Sequence, residues 1–433
     1  VSGGRSGANG GEAANRTRAT AAANLRLGPG AWRPETIAGF AGLLTLGLLI
    51  RMALWPQPGL AGDLDNFVLW VHGIATDGWG HTYDQNLSFP AVMAWIWGAL
   101  SAIQPAFATA QDASDPAIRE LMKVPASLCD LGLAAAVAWW FRDRPRLALA
   151  AAGAVLLWPV TWYVSALWGQ YESIYVLPAL LAVLAARARR PGVAAVMLAI
   201  SLMTKPQALP FVVPFAAWFL ATQGWRGSLR AAAIAAATVL VIWLPFLAAG
   251  GPVAYLHNLS SYQNDLFSFL SLRAWNPWWL VQELSAGGDF MSDQTAIVGP
   301  VTFRLVGLAA AAAIAAAVFA GVYRNPSPER LAMGLAAMTL GAFVALTTMH
   351  ERYAYPAFVF LMLCWPRRQV LELWAVLAVA VVLNLVYAIP PPGLTPPAYG
   401  LVSLAGSVAM TAIAVVTIGW TLGFGPEATT PGR

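Results

Sequence analysis

Five short polar clusters interrupt a very apolar chain, and their residue types are those that move protons and hold phosphates. The first is Gly62-Asp63-Leu64-Asp65-Asn66-Phe67-Val68-Leu69-Trp70, and the second is Trp168-Gly169-Gln170-Tyr171-Glu172-Ser173. Lys205-Pro206-Gln207, Arg273-Ala274-Trp275-Asn276 and His350-Glu351-Arg352-Tyr353 complete the set. A carboxylate held beside an incoming hydroxyl can act as its general base. Lysine and arginine flanked by amides suit a phosphate or pyrophosphate, arginine through its planar fork and lysine as a point charge. Such a set suits transfer of a group from a lipid phosphate.

Each cluster also has a plainer reading. Asp63 and Asp65 are well placed to cap an amphipathic helix over residues 64–76, and Glu172 to cap the next helix. Lys205, at a helix break before Pro206, could reach the interface with its ammonium. His350-Glu351-Arg352 could be a local ion pair closing a helix start. The Asp-x-Asp spacing resembles metal-bound nucleotide-sugar sites, but those sugars are cytoplasmic and this pair is placed outside by the topology below. Lys123 and Asp130, seven apart on one helix face, suggest a structural pair. His72, His81 and His257 lack ligand-like spacing, so no metal site is indicated.

The elements that must position these groups are membrane helices. The chain has 433 residues, 59% hydrophobic and 10% charged, where a soluble domain carries about 25% charged residues. Continuous rather than alternating apolar runs exclude a β-barrel. Spans of about 20 residues predict an all-α polytopic integral membrane protein with about twelve transmembrane helices. They fall at residues 37–54, 120–140, 146–163, 173–186, 192–203, 206–221, 228–247, 301–323, 330–347, 353–365, 369–388 and 397–422. Cytoplasmic termini put 18 of the 25 Lys and Arg residues inside, as the positive-inside rule requires. The exoplasmic half then holds about 14 of the 20 acidic residues, so its cations are not a generic basic surface.

This topology brings all five clusters to the exoplasmic face. It leaves two long exoplasmic loops, 56–119 and 250–300, within a transmembrane domain of residues 34–424. The apolar run 90–104 reads as an interfacial or re-entrant helix, with Trp95 and Trp97 at headgroup level. The second loop, with Trp275, Trp278 and Trp279, is expected along the membrane surface. Residues 1–33 read as a disordered cytoplasmic tail, and 425–433 as a second short tail. Cys129 and Cys364 fall within spans, so no disulfide framework is expected. The basic balance reflects orientation, not nucleic-acid binding.

The chain resembles the C-type superfamily of membrane glycosyltransferases over about residues 32–422. It is most similar to bacterial relatives of GPI mannosyltransferase 2, and more distantly to dolichyl-phosphate-glucose glucosyltransferases. Asp63 with Phe67 and Trp70 matches that family's Asp-x-x-x-Phe-x-x-Trp. Lys205-Pro206-Gln207 and His350-Glu351-Arg352-Tyr353 match unchanged. Trp168-Gly169-Gln170-Tyr171-Glu172-Ser173 carries Glu172 where Asp is usual, and Ala274-Trp275-Asn276-Pro277-Trp278-Trp279 follows Arg273 where Asn is usual. Ser88-Phe89-Pro90-Ala91 lacks the acidic residue often found before Tyr-Pro-Pro, which shifts the weight onto Asp63.

The resemblance implies an inverting glycosyltransferase that moves a hexose, mannose favoured and glucose possible, from a polyprenyl-phosphate-linked donor. The acceptor would be a glycolipid, glycan or protein at the exoplasmic face of the cell membrane. It implies Asp63 as the base and Lys205, His350, Arg352 and Arg273 as the donor-phosphate site. Asp65, Gln170, Glu172, Gln207, Asn276 and Glu351 would contact sugar or acceptor. No cofactor and no metal are called for, and the partners are the lipid-linked donor, the acceptor and membrane lipids. The competing class is a transporter or flippase of a lipid-linked anionic glycan, which the Lys123/Asp130 pair and the broken helix at Lys205-Pro206 would suit.

Overall fold

A computed structural model describes residues 32–396 and 400–425. The two terminal tails and part of the connection before the last helix lie outside the described residues. The helices are α1 (Pro34–Leu54), α2 (Asp63–Asp77), α3 (Ala91–Ile103), α4 (Pro116–Trp140) and α5 (Pro145–Leu157). They continue with α6 (Glu172–Arg187), α7 (Pro191–Leu202), α8 (Val212–Leu247), α9 (Gly251–Ser261) and α10 (Pro277–Ala286). The last are α11 (Phe303–Arg324), α12 (Pro328–Ala345), α13 (Tyr355–Met362), α14 (Arg368–Ala388) and α15 (Leu401–Leu422). Pro145, Pro191 and Pro328 each open a helix, at the one position where the missing N–H costs no hydrogen bond.

Among the described residues, seven helical runs are long and apolar enough to cross a bilayer. One of them, Pro206–Leu247, has 42 residues. A straight helix of that length would be about 63 Å, twice the ~30 Å hydrocarbon core. The backbone breaks at Gly224 (φ 64°, ψ 179°), where the sequence places a connection between two spans. Four other expected spans fall on α6, α7, α12 and α13, which are shorter or less apolar than the seven. Helix α12 is buried around nearly its whole circumference and packs on α11, α13 and α15. A helix apolar on all sides belongs at the centre of a bundle. Leu46, Leu49, Leu240, Val241, Leu308 and Val415 are exposed, as lipid-facing residues would be.

Both long loops fold into the molecule rather than lying flat. In the first, α2 packs on α3 around a second core that includes Phe67, Trp70, Trp97 and Phe107, closed by Trp243 and Phe246 of α8. Trp97 is 0% exposed, and its ring meets Phe67, Trp70 and Phe89 rather than the surroundings. Trp95 is 43% exposed and donates to the Ile242 carbonyl. In the second loop Trp275 and Trp279 are buried in the main core, not spread on a surface. Short strands accompany the helices: β1 (Ser271–Leu272), β2 (Ala296–Val298), β3 (Val301–Thr302) and β4 (Met349–His350). The parallel β1–β4 pair sets Leu272 opposite His350, which ties the second loop to the His350 cluster.

Candidate active site

Asp63 is the first residue of α2, delivered by a left-handed Gly62 (φ 70°). Its Oδ2 accepts hydrogen bonds from Gln170 Nε2 at 2.6 Å and Trp168 Nε1 at 3.1 Å. Both donors belong to a wide helical turn, Tyr163–Trp168, and to the segment after it, which starts at left-handed Gly169 (φ 95°). Neither carboxylate is the N-cap residue, since Gly62 occupies that position without a side-chain bond, and both stand in the first turn of α2. Asp65 Oδ1 instead accepts from the Ala113 amide at 2.9 Å, which fastens the end of the first loop.

A second group surrounds Glu172, the first residue of α6 and 0% exposed. Lys205 Nζ donates to Glu172 Oε1 at 2.5 Å, and Arg352 Nε lies 3.4 Å from the same oxygen. Arg352 Nη1 donates to Glu351 Oε1 at 2.7 Å, and its guanidinium stacks 4.8 Å over the Trp168 ring. Two cations therefore face two carboxylates, and the Glu172 expected against a sugar lies beneath the cavity as their counter-charge. His350 Nδ1 sits 3.2 Å from Arg352 Nη1. Burial, then the charges of Arg352 and Lys205, hold His350 well below the usual imidazole pKa, so it is neutral at pH 7.

These groups converge on a cavity of about 200 Å³, whose wall includes Asp63, Gln170, Lys205, Gln207, His350 and Arg352. Phe67, Trp70, Phe89, Tyr262, Phe267 and Tyr353 supply aromatic surface. Gln207 Nε2 donates to the Tyr353 hydroxyl at 2.8 Å. The Gln170 and Gln207 amide oxygens are buried without a partner among the described residues. A buried acceptor left unpaired is costly and marks where a ligand's hydroxyl would bind.

Besides Glu172, four expected residues do not line the cavity. Arg273 donates to the Ala388 carbonyl at 2.6 Å. Asn276 caps α10 by accepting from the Trp279 amide, while its Nδ2 donates to Phe343 O. Asp65 and Glu351 act one step back, as described. Sequence reasoning missed Phe89, Tyr262 and Thr348. Thr348 has φ 59°, a strained conformation for a β-branched residue, and nothing in the residue type signals it.

The model of glycosyltransferase family 87 matches residues 121–349, more than half of the chain. The chain belongs to glycosyltransferase family 87. That family is of the membrane C type, as the motifs suggested. No curated protein matches the chain. The family 87 match includes Trp168, Gln170, Glu172, Lys205 and Gln207, while Asp63 and Arg352 lie beyond its two ends.

The Lys123/Asp130 pair expected in this family 87 chain does not form. Asp130 instead binds Arg51 Nε at 2.8 Å and Ser165 Oγ at 2.5 Å. Lys123 Nζ donates to the carbonyls of Trp55, Gln57 and Leu167. Seven residues carry the helix nearly two turns, which separates the two side chains along the axis and gives each its own partners. At the opposite end of the helices Arg144, Arg187, Asn325 and Arg367 line a separate cavity, so the arginine clusters and the catalytic candidates sit at different ends.

Proposed function

We propose that this family 87 chain transfers a hexose, with inversion, from a polyprenyl-phosphate-linked donor to an acceptor hydroxyl at the exoplasmic face. The observation that carries the reading is that Asp63, Lys205 and Arg352 line a single cavity. Both contacts to Asp63 use Oδ2, which leaves Oδ1 to take the acceptor's proton. The acceptor oxygen forms its bond to the anomeric carbon as the bond from that carbon to the phosphate oxygen breaks. The electron pair leaves with the polyprenyl phosphate, and the proton ends on Asp63. Lys205 and Arg352 stabilise the charge that develops on the leaving phosphate. Glu172 and Glu351 keep both cations aimed, yet Lys205 commits only one of its three donors to Glu172. The amide oxygens of Gln170 and Gln207 accept from sugar hydroxyls, where paired bonds set selectivity.

The test is to incubate the purified protein with polyprenyl-phosphate-mannose or polyprenyl-phosphate-glucose and follow sugar release or transfer. Turnover of either supports the reading. Turnover of a nucleotide sugar, with neither lipid donor consumed, would overturn it.

A further inference from the structure

Lys123 lies on α4, is 0% exposed and makes no ion pair with a carboxylate among the described residues. An ammonium offers three donors, and three backbone carbonyls take them: Gln57 at 2.6 Å, Trp55 at 3.2 Å and Leu167 at 3.2 Å. The first two stand at the exit of α1, where the chain turns toward Asp63. The third immediately precedes Trp168 and Gln170, the two donors to Asp63. The two segments also touch directly. A Cβ on Gly59 (φ 85°) would lie 3.0 Å from the Trp168 carbonyl, and one on Gly169 would lie 2.9 Å from Leu64 Cδ1 and 3.6 Å from Lys123 Cε.

We propose that Lys123 is the positioning residue of the active site, fixing the stretch of chain that carries the Asp63 base against the turn that orients it. Lys123 is not part of the wall of the Asp63 cavity and acts through these carbonyls. The inference rests on the reading of Asp63 as base, and its test separates the two.

The experiment compares wild type, Lys123→Met, Trp168→Phe and the double variant, with polyprenyl-phosphate-mannose and -glucose as the probes. Methionine keeps the length of the side chain and removes the three donors. Lys123→Met is expected to lower kcat at least tenfold with KM for the lipid donor within about twofold. Combined with Trp168→Phe, its loss should be smaller than the product of the two single losses, because both act through one segment. In parallel, amide hydrogen exchange should rise at residues 59–65 and 168–171 together while the rest of α4 keeps its protection. An unchanged kcat, fully multiplicative losses, or exchange rising along all of α4 would each overturn the proposal. If Lys123→Met does not fold, Lys123→Gln, which retains an N–H donor group, carries the same comparison. If wild type consumes neither lipid donor, the donor reading fails, and the exchange pattern still decides the role of Lys123.

Discussion

Asp63 and Asp65 stand two residues apart on one helical turn, yet their surroundings divide their roles. Asp63 faces the cavity, whereas Asp65 holds the Ala113 amide. Asp63→Asn should abolish turnover while donor binding and melting temperature stay near wild type. Asp65→Ala should retain most activity and lose about 1 kcal/mol, the usual net worth of one hydrogen bond. Near-normal turnover by the Asp63 variant would reassign the base. Lys205→Ala or Arg352→Ala leaves Glu172 buried with one cation fewer, so each should weaken donor binding or turnover at least tenfold. Each should also cost about 3–5 kcal/mol of stability, as breaking a buried pair does. His350 gives a pH signature in stability. Its folded-state pKa lies below the unfolded value near 6.5, so the unfolded chain binds the proton first. The stability it supports is therefore present above pH 6.5 and is lost as pH falls. Relative to His350→Gln, wild type should lose up to about 1.4 kcal/mol per pH unit below that value. Parallel melting curves for the two proteins from pH 7.5 to 5.5 would contradict it.

Helix contact in this bundle depends on small residues that let backbones approach. A Cβ on Gly321 of α11 would lie 2.4 Å from the Thr421 carbonyl of α15, and one on Gly307 would lie 2.7 Å from the Ala345 carbonyl. A carbonyl in a packed helix cannot swing aside as a side chain does. Gly321→Ala should therefore destabilise by about 1–3 kcal/mol. A methyl group added at Gly42 of α1 would meet nothing within 4 Å, and Gly42→Ala should stabilise by up to about 1 kcal/mol through backbone entropy. Thermal melts in one detergent compare the pair directly, and equal shifts would refute the packing argument. The same logic explains the site. Gly59 and Gly169 permit the close approach that brings α2 to the Trp168–Gln170 segment.

Across the whole molecule, the arginine-lined cavity and the candidate active site occupy different ends of the helices. From the charge bias we propose an orientation with the arginines inside. In a background with Cys129 and Cys364 replaced by alanine, cysteines at the exposed Asp112 and Asp265 should react with an impermeant thiol reagent on intact cells. A cysteine at exposed Asn325 should not. Labelling at position 325 with none at 112 and 265 would invert the proposed orientation.

The sequence by itself determined the all-α membrane class and four of the five clusters that meet at the cavity, because hydropathy and helix breaks are local properties. Asp63, Gln170, Lys205, Gln207, His350 and Arg352 are legible for the same reason. Each interrupts an apolar run, where an ionisable or amide group is costly without a purpose. Tertiary structure decided which residues touch. It paired Glu172 with Lys205 and Arg352, gave Lys123 three carbonyls in place of Asp130, and buried Trp97 in an aromatic core. It also took Arg273 and Asn276 away from the cavity to tie down α14 and α10. Those outcomes depend on contacts between segments far apart in the chain, and residue spacing along one helix carries no information about them. Thr348 shows the limit most clearly, since its left-handed backbone is imposed by the pairing around β4 against its own preference.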